Sequence, residues 1–538
     1  MVNYSQFAKT NDVVYNIVKA LEYCKENNED GLIFDKGTYS AFNDKAAQGV
    51  FSMSNHTAPG LKRACFLLQG FKNFTLDGGG STFIMENVMS PVIISDCENV
   101  KVKGFSFICK QTYNGQVKVV RSGDGWIDVV PEFGDFYVYG GDLFSGKKEG
   151  SYNPGDEECE YVKLRYFDES NPDHILKEGV NDYPFCSEEY AIDFSENPDG
   201  SIKMAKLKRN IDVGQHLVFA SMPRCCASIF VNESKDTFVE DVTLYSGIGM
   251  GVIAQNSENI DICRLSTRLS EGRSYSINAD GTHFVHCKGL INVHDCFFEG
   301  QLDDALNVHS LYLKIADKID NKLLLKFMHY EAKGIDVFRE GGILQTSDPE
   351  TLLPNGEYKI IKVKNINLDY VEVELEGDIS QIKVGDIADE ISWVPDVIFE
   401  NNIVQNNRAR GMLLAARGKI IVRNNLFKTP GTVVKFESDG KFWYESGGTK
   451  DVLICNNKFE HCLTSWGKGI IEIQPRERTE ENRYYHKKIE VRDNIFDKCE
   501  GIVCAMNNVE TFIFKNNEVT NHIGEMFEIE HCKEVITE

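Results

Sequence analysis

DVIFENNIV at 396–404, KIIVRNNLF at 419–427, DVLICNNKF at 451–459, KIEVRDNIF at 488–496 and TFIFKNNEV at 511–519 are five versions of one phrase. Each sets a Val/Ile-rich strand, a tight polar bend and a second short strand in the same order. The second bend residues, Asn402, Asn425, Asn457, Asn494 and Asn517, follow one another at intervals of 23, 32, 37 and 23 residues. A basic coil of about 23 residues with insertions accounts for all four intervals. NFTLDGGGSTFI, NVKVKGFSF, TFVEDVTLY, NIDICRLST and LINVHDCFF carry the same template upstream. One such unit cannot bury its apolar face alone, so successive copies stack. Asn at the bend tolerates left-handed dihedrals and can hydrogen-bond its copies above and below as a ladder. The L-x-x-L-x-L pattern of leucine-rich repeats is missing, and propeller blades would need about 40–45 residues each. The expected fold is all-β, a right-handed parallel β-helix.

The first element differs. In NDVVYNIVKALEYCKEN, Val13, Ile17, Ala20 and Leu21 fall on one helical face. A helix there caps the first coil, as terminal repeats require. Two stretches break the coil rhythm and read as small inserted β-barrel-like domains. The first has YNPGDEECEY and NPDG turns; the second alternates short strands such as LYLKIA, KLLLKF, YKIIKV and YVEVEL. The expected division is 1–111 for the cap and first coils, 112–222 for insert one and 223–310 for central coils. Insert two follows at 311–392, and 393–538 holds the last coils. Insertions in a solenoid usually stand on one face and wall a binding cleft.

Composition narrows the partners. The 538-residue chain exceeds the usual single-core limit of roughly 250–300 residues, which a repeat array resolves. Its formal charge of −24 repels nucleic acid and anionic membranes and suits a neutral substrate. No apolar run reaches the ~18 residues of a membrane span. The N-terminus lacks the basic and apolar regions of a secretory signal, so the chain as given is expected in the cytoplasm, or outside the cell if a leader was removed. The 16 cysteines show no CxxC pairs or zinc-ribbon spacing and read as small reduced core residues.

Chemistry concentrates in SINADGTHF (276–284) and EGQLDDALNVHS (299–310). Asp280 and Asp303 are one basic coil apart, at a stacking distance of roughly 4.8 Å, which places Asp280 about directly beneath or above the Asp303–Asp304 pair. With Leu306 and Val308 facing inward, Asp303, Asn307 and His309 share the outward stripe. Asp304 has inward parity and must sit at the bend to reach the same cleft. Like charges so close raise the pKa of one, which separates a general acid from a base as glycoside hydrolysis requires. A solvated acidic ladder or a calcium site competes with that reading. Asn278, His283, Asn307 and His309 add the mixed donors and acceptors a sugar needs. RARGMLLAARGK (408–419) brings Arg408, Arg410 and Arg417, and VKFESDGKFWYESGG (434–448) brings Glu437, Asp439, Trp443 and Glu445. Trp443 beside carboxylates can stack on a pyranose face or plug a loop. The GIGMGV run (247–252) has no helix behind it and reads as tight coil packing.

With these motifs assembled, the chain resembles the α-1,3-galactosidases of glycoside hydrolase family 110. SNHTAPGLKRACFLL (54–68), LDGGGSTFIMENVMSPVII (76–94), NADGTHF, GQLDDALNVH, NNRARGMLL and FWYESGG carry the likeness in order along nearly the whole chain. NADG and DD also look like polygalacturonase elements, but the GHG and RIK motifs of those enzymes are not found. The resemblance implies an inverting hydrolase of terminal α-1,3-galactose on blood-group-B-type or linear glycans, working without metal or cofactor. It implies that Asp280, Asp303 and Asp304 are catalytic, with Asp280 as acid and the pair as base. Asn278, His283, Asn307, His309, Arg410, Glu437 and Trp443 are the expected substrate contacts. The expected partner is a glycan with terminal α-galactose, with a homodimer as the candidate assembly. The competing classes are a β-helix polysaccharide lyase, a polygalacturonase-like hydrolase and a non-catalytic glycan-binding β-helix. An acidic cleft would repel the uronates of a lyase substrate.

Overall fold

The computed structural model describes residues 1–538 except 57–58, 113, 146–156, 159–160, 168–175, 185–191, 208–209, 221–223 and 474–477. Within 145–191 and at 220 it describes backbone alone. The chain forms a parallel β-helix whose strands stack in three sheets. The face that matters below runs through Ser90–Ser95, Ile229–Asn232, Val252–Gln255, Thr282–Val285, Leu306–Leu311, Met412–Leu414, Val434–Phe436 and Gly469–Ile473, all paired parallel. The five repeat phrases supply the other two faces, as with Pro395–Glu400 and Ile403–Gln405.

The bend between those two faces divides its labour between neighbouring residues. Asn401, Asn424, Asn456, Asp493 and Asn516 take the left-handed conformation, with φ of 57°, 58°, 56°, 57° and 54°. The residue after each builds the ladder. The backbone N–H groups of Asn402, Asn425, Asn457 and Asn494 each donate to the side-chain oxygen of Asn425, Asn457, Asn494 and Asn517 in turn, at 2.8–3.0 Å. These groups are buried, so each rung satisfies a donor that would otherwise be orphaned. Beneath the bends, Phe399, Phe427, Phe459 and Phe496 stack ring on ring at centroid distances of 6.3, 5.2 and 4.6 Å. Full burial of each such ring stabilises by about 1.5–3 kcal/mol.

A helix over Val13–Glu26, N-capped by the Asp12 carboxylate, buries Val14, Ile17, Ala20, Leu21 and Cys24 against the first coil. All 14 described cysteines are free thiols and 12 of them are buried. Burial pushes several upward, Cys226 and Cys287 to about 12.

The two inserts differ in closure. Leu313–Ile319, Lys322–Lys326, Ile343–Ser347, Pro354–Asn365, Tyr370–Leu375 and Ile387–Glu390 close into a six-stranded barrel with its own core. In the first insert the described strands form an open seven-stranded antiparallel sheet and a separate three-stranded one, so the expectation of a second barrel is corrected. That sheet docks on the turn ahead of Asp280. Gln116 accepts from the Ser274 N–H, and the Tyr275 hydroxyl donates to the Asn114 carbonyl. No described helix is long and apolar enough to cross a membrane.

Candidate active site

Asp280, Asp304 and Arg410 form one column on the edge of the first face. Thr282 pairs with Leu306 and Leu306 with Met412, which carries the register back to these three bend residues. Backbone bonds continue that register, with Gly281 N–H donating to Asp304 O at 2.8 Å and Ala305 N–H to Gly411 O at 3.0 Å. The coil here is therefore 24 residues long, not 23, and Asp280 stacks on Asp304 instead of Asp303. The side chains join the column: Asp304 N–H donates to Asp280 Oδ1 at 3.2 Å, and Arg410 N–H donates to Asp304 Oδ1 at 2.9 Å. Leu306 and Val308 point into the core, and Asp304 lies in the bend ahead of their strand, fully buried.

The three carboxyl groups come together. One oxygen of each lies within 4.8 Å of the others. Two guanidinium groups balance them. Arg410 Nε donates to both Asp304 oxygens at 2.9 and 3.1 Å, and Arg224 Nη2 donates to Asp303 Oδ2 at 3.0 Å. Such a cluster could bind a divalent cation, but the two arginines already supply the opposing charge. Burial, reinforced by the Asp303 charge, pushes Asp280 up to about 8 against the pull of Arg224 and Arg410. Burial also raises Asp304, to about 7, while Arg410 opposes it.

The cluster opens into a cavity of about 220 Å³. Asp280 and Asp303 reach its wall; Asp304 does not, because both its oxygens are engaged by Arg410. Of the expected substrate contacts, Asn307, Arg410, Glu437 and Trp443 line the cavity. Asn278, His283 and His309 do not. Asn278 Nδ2 turns to the Ile248 carbonyl at 3.4 Å. His283 and His309 are on the outward stripe, as their parity requires, yet both are buried.

Two segments cover them. Residues 52–56 bind the outward side chain of Gln255, through Ser54 N–H to Gln255 Oε1 and Gln255 Nε2 to Ser52 O. His56, which burial pushes down to about 3, accepts weakly from Met250 N–H at 3.4 Å. Over His309, the run carrying Trp443 folds back, pairing Ser446 with Ser310 and Glu445 with Leu311. Neither contact is periodic, so pattern alone leaves these histidines outward and exposed.

Asn55, Arg224, Arg408, Leu413, Ser438, Asp439 and Glu445 complete the wall. Arg224 follows the first insert and belongs to no coil, so no spacing marks it. Asp439 accepts from the N–H groups of Lys441 and Phe442 and so shapes the loop that holds Trp443. The barrel contributes His329, whose ring lies 4.7 Å from that of Trp443, and Glu331, whose carbonyl accepts from Asn55 N–H at 3.1 Å. Arg417 is elsewhere, in a buried ion pair with Asp389 at 2.6 Å. Arg224, Arg408 and Arg410 stand in its wall among five carboxyl groups, Asp280, Asp303, Glu437, Asp439 and Glu445, so the acidic cleft expected from the sequence also carries three positive charges.

Alpha-1,3-galactosidase A of Shewanella woodyi is 31% identical over 520 residues, covering 94% of this chain and 83% of that protein. The chain belongs to the α-1,3-galactosidase family, glycoside hydrolase family 110. Another member similar to it, Alpha-1,3-galactosidase B of Parabacteroides distasonis, is 30% identical over 93% of this chain and 83% of its own. The GLAA-B beta-barrel domain II family matches residues 322–388, the stretch that forms most of the closed barrel of this α-1,3-galactosidase family member. Among solved structures, a hyperthermoactive exopolygalacturonase from Thermotoga maritima aligns over 100% of this chain and 91% of its own, at 12% identity and a TM-score of 0.41.

Proposed function

We propose that this protein is a glycoside hydrolase that releases terminal α-1,3-linked galactose from linear or blood-group-B-type glycans, with Asp280 as general acid and Asp303 as base. The observation that carries the reading is family membership along nearly the whole chain. The electrostatics support the division of roles. Asp280 is buried and raised to about 8, so it holds its proton at neutral pH. Asp303 is ion-paired with Arg224, which favours the carboxylate. Asp304, held by Arg410, positions both rather than touching sugar. Asn307, Arg410, Glu437 and Trp443 would contact the galactose or its neighbour.

Inversion is the course the family resemblance implies. It ordinarily needs carboxyl groups roughly 6.5–9.5 Å apart, with room for a water. The nearest oxygens here are within 4.8 Å, so inversion requires one side chain to splay. Asp303 is the one able to do so, being 18% exposed against 4% for Asp280 and 1% for Asp304. Incubation with α-1,3-galactobiose and with blood group B trisaccharide tests the function. Free galactose should appear, unchanged by EDTA, with β-galactose as the first-formed anomer in NMR. Unsaturated uronate products from pectin or alginate, with no galactose release, would overturn it.

A further inference from the structure

Behind the wall of the cavity, three side chains form a continuous hydrogen-bonded chain. Asp280 Oδ2 lies 2.6 Å from His283 Nδ1, and His283 Nε2 lies 3.0 Å from His309 Nε2. His309 Nδ1 ends the chain 2.8 Å from the backbone carbonyl oxygen of Ser310. The two rings meet edge-on at 88°, with centroids 5.0 Å apart. Neither histidine reaches the cavity, and neither has a role in the reaction proposed above.

Protons can be assigned along this chain from its fixed end, since the hydrogen-bond pattern decides the tautomers. A carbonyl oxygen only accepts, so His309 Nδ1 carries a hydrogen. With the rings uncharged, His309 Nε2 is then an acceptor and His283 Nε2 must donate to it. That leaves His283 Nδ1 bare, and a bare nitrogen 2.6 Å from a carboxyl oxygen needs that carboxyl to carry the proton. Ionised Asp280 would instead point a lone pair at a lone pair in a buried site.

We propose that His283 and His309 are positioning residues for the acid: anchored by the Ser310 carbonyl, they form a one-directional chain that, with both rings neutral, closes only on the protonated form of Asp280. The chain closes with neutral rings, and burial opposes charging His283, holding it well below the ordinary imidazole value. The groups facing it pull both ways. Asp303 disfavours a second negative charge on Asp280, while Arg224 and Arg410 draw it the other way. Asp304 faces Asp280 through its backbone N–H. On the far side Glu445 Oε1 lies 3.5 Å from His309 Nε2, and His56 faces His283 from the 52–56 segment. Without the histidines Arg224 and Arg410 act on Asp280 with no opposing tautomer constraint. With them, loss of the proton to a leaving group leaves the chain one hydrogen bond short, which favours reprotonation before the next turnover.

The inference rests on Asp280 being the acid, and that assumption has its own control. On an aryl galactoside with a good leaving group, Asp280→Asn should remain active and lack the alkaline limb of the kcat/KM profile. If that limb persists, the acid assignment itself fails. Given the control, His309→Phe removes the acceptor and frees His283 to donate to an ionised Asp280. Its alkaline limb should move to lower pH by about one unit, and kcat on the disaccharide should fall at least tenfold more than on the aryl substrate. Inhibition by galactose should be unchanged. His309→Gln can still accept through its amide oxygen and should keep the wild-type limb. Equal slowing on both substrates with an unmoved limb would overturn the proposal. The wild-type protein gives a test independent of folding variants. Histidine ¹⁵N spectra at neutral pH should show His309 as the Nδ1–H tautomer and His283 as the Nε2–H tautomer; the reverse pair, or an imidazolium at either ring, would overturn it.

Discussion

Arg410 meets the Asp304 carboxylate twice, through its backbone N–H at 2.9 Å and its side-chain Nε at 2.9 Å. The same oxygen receives both. This fixes Asp304 in the column and keeps it from the cavity, so the ion pair is as much a structural part as an electrostatic one. Removing one partner of a buried pair leaves an uncompensated charge and costs about 3–5 kcal/mol. Arg410→Ala should lower the unfolding free energy by about that much in chemical denaturation. Arg410→Met combined with Asp304→Leu should regain most of it while staying inactive. Equal stability of wild type and Arg410→Ala would mean that the charge is solvated.

Asp280, Asp303 and Asp304 give distinct kinetic signatures when changed to Asn. Each change should remove most turnover on the disaccharide, by about 10²–10⁴ where acid–base help is lost. An activated leaving group should rescue Asp280→Asn alone, because it needs no proton. Rescue of Asp303→Asn instead would exchange the two roles.

Stability should also respond to pH through Asp280. Its folded value of about 8 is above the unfolded value of 3.8, so the folded state binds the extra proton between them. The associated stability is fully present below about pH 4 and is lost as pH rises through about 8, at up to about 1.4 kcal/mol per pH unit. The difference in unfolding free energy between wild type and Asp280→Asn should therefore fall across that window. A flat or rising difference would mean that Asp280 is ionised in the folded protein.

The ladder gives a prediction remote from catalysis. Asn457→Ala removes the acceptor for Asn425 N–H and leaves a buried donor without its partner. That should cost about 1–3 kcal/mol, read as a lower midpoint in urea, with kcat/KM unchanged. A midpoint equal to wild type would mean that water replaces the rung.

The ladder was legible because its residues recur at coil intervals and bend chemistry is local. The acid cluster was legible to within one residue. A 24-residue coil aligns Asp280 with Asp304, and no repeat near it in sequence discloses the extra residue. His283 and His309 have the outward parity read from Leu306 and Val308, but parity gives direction and not exposure. What covers them are residues 52–56 and the Glu445–Ser446 strand, far away in the chain or folded back on it. Arg224 was illegible for the same reason: a residue placed by an insert boundary carries no period.

The barrel bears on the cleft through its rim, where His329 rests on Trp443 and the Glu331 carbonyl holds Asn55. The carboxyl column belongs wholly to the solenoid. The column and the rim are thus carried by different parts of one chain. Changes in the barrel can redraw the doorway while the carboxyl groups stay where the coils put them, so the rim and the column are free to change apart from one another.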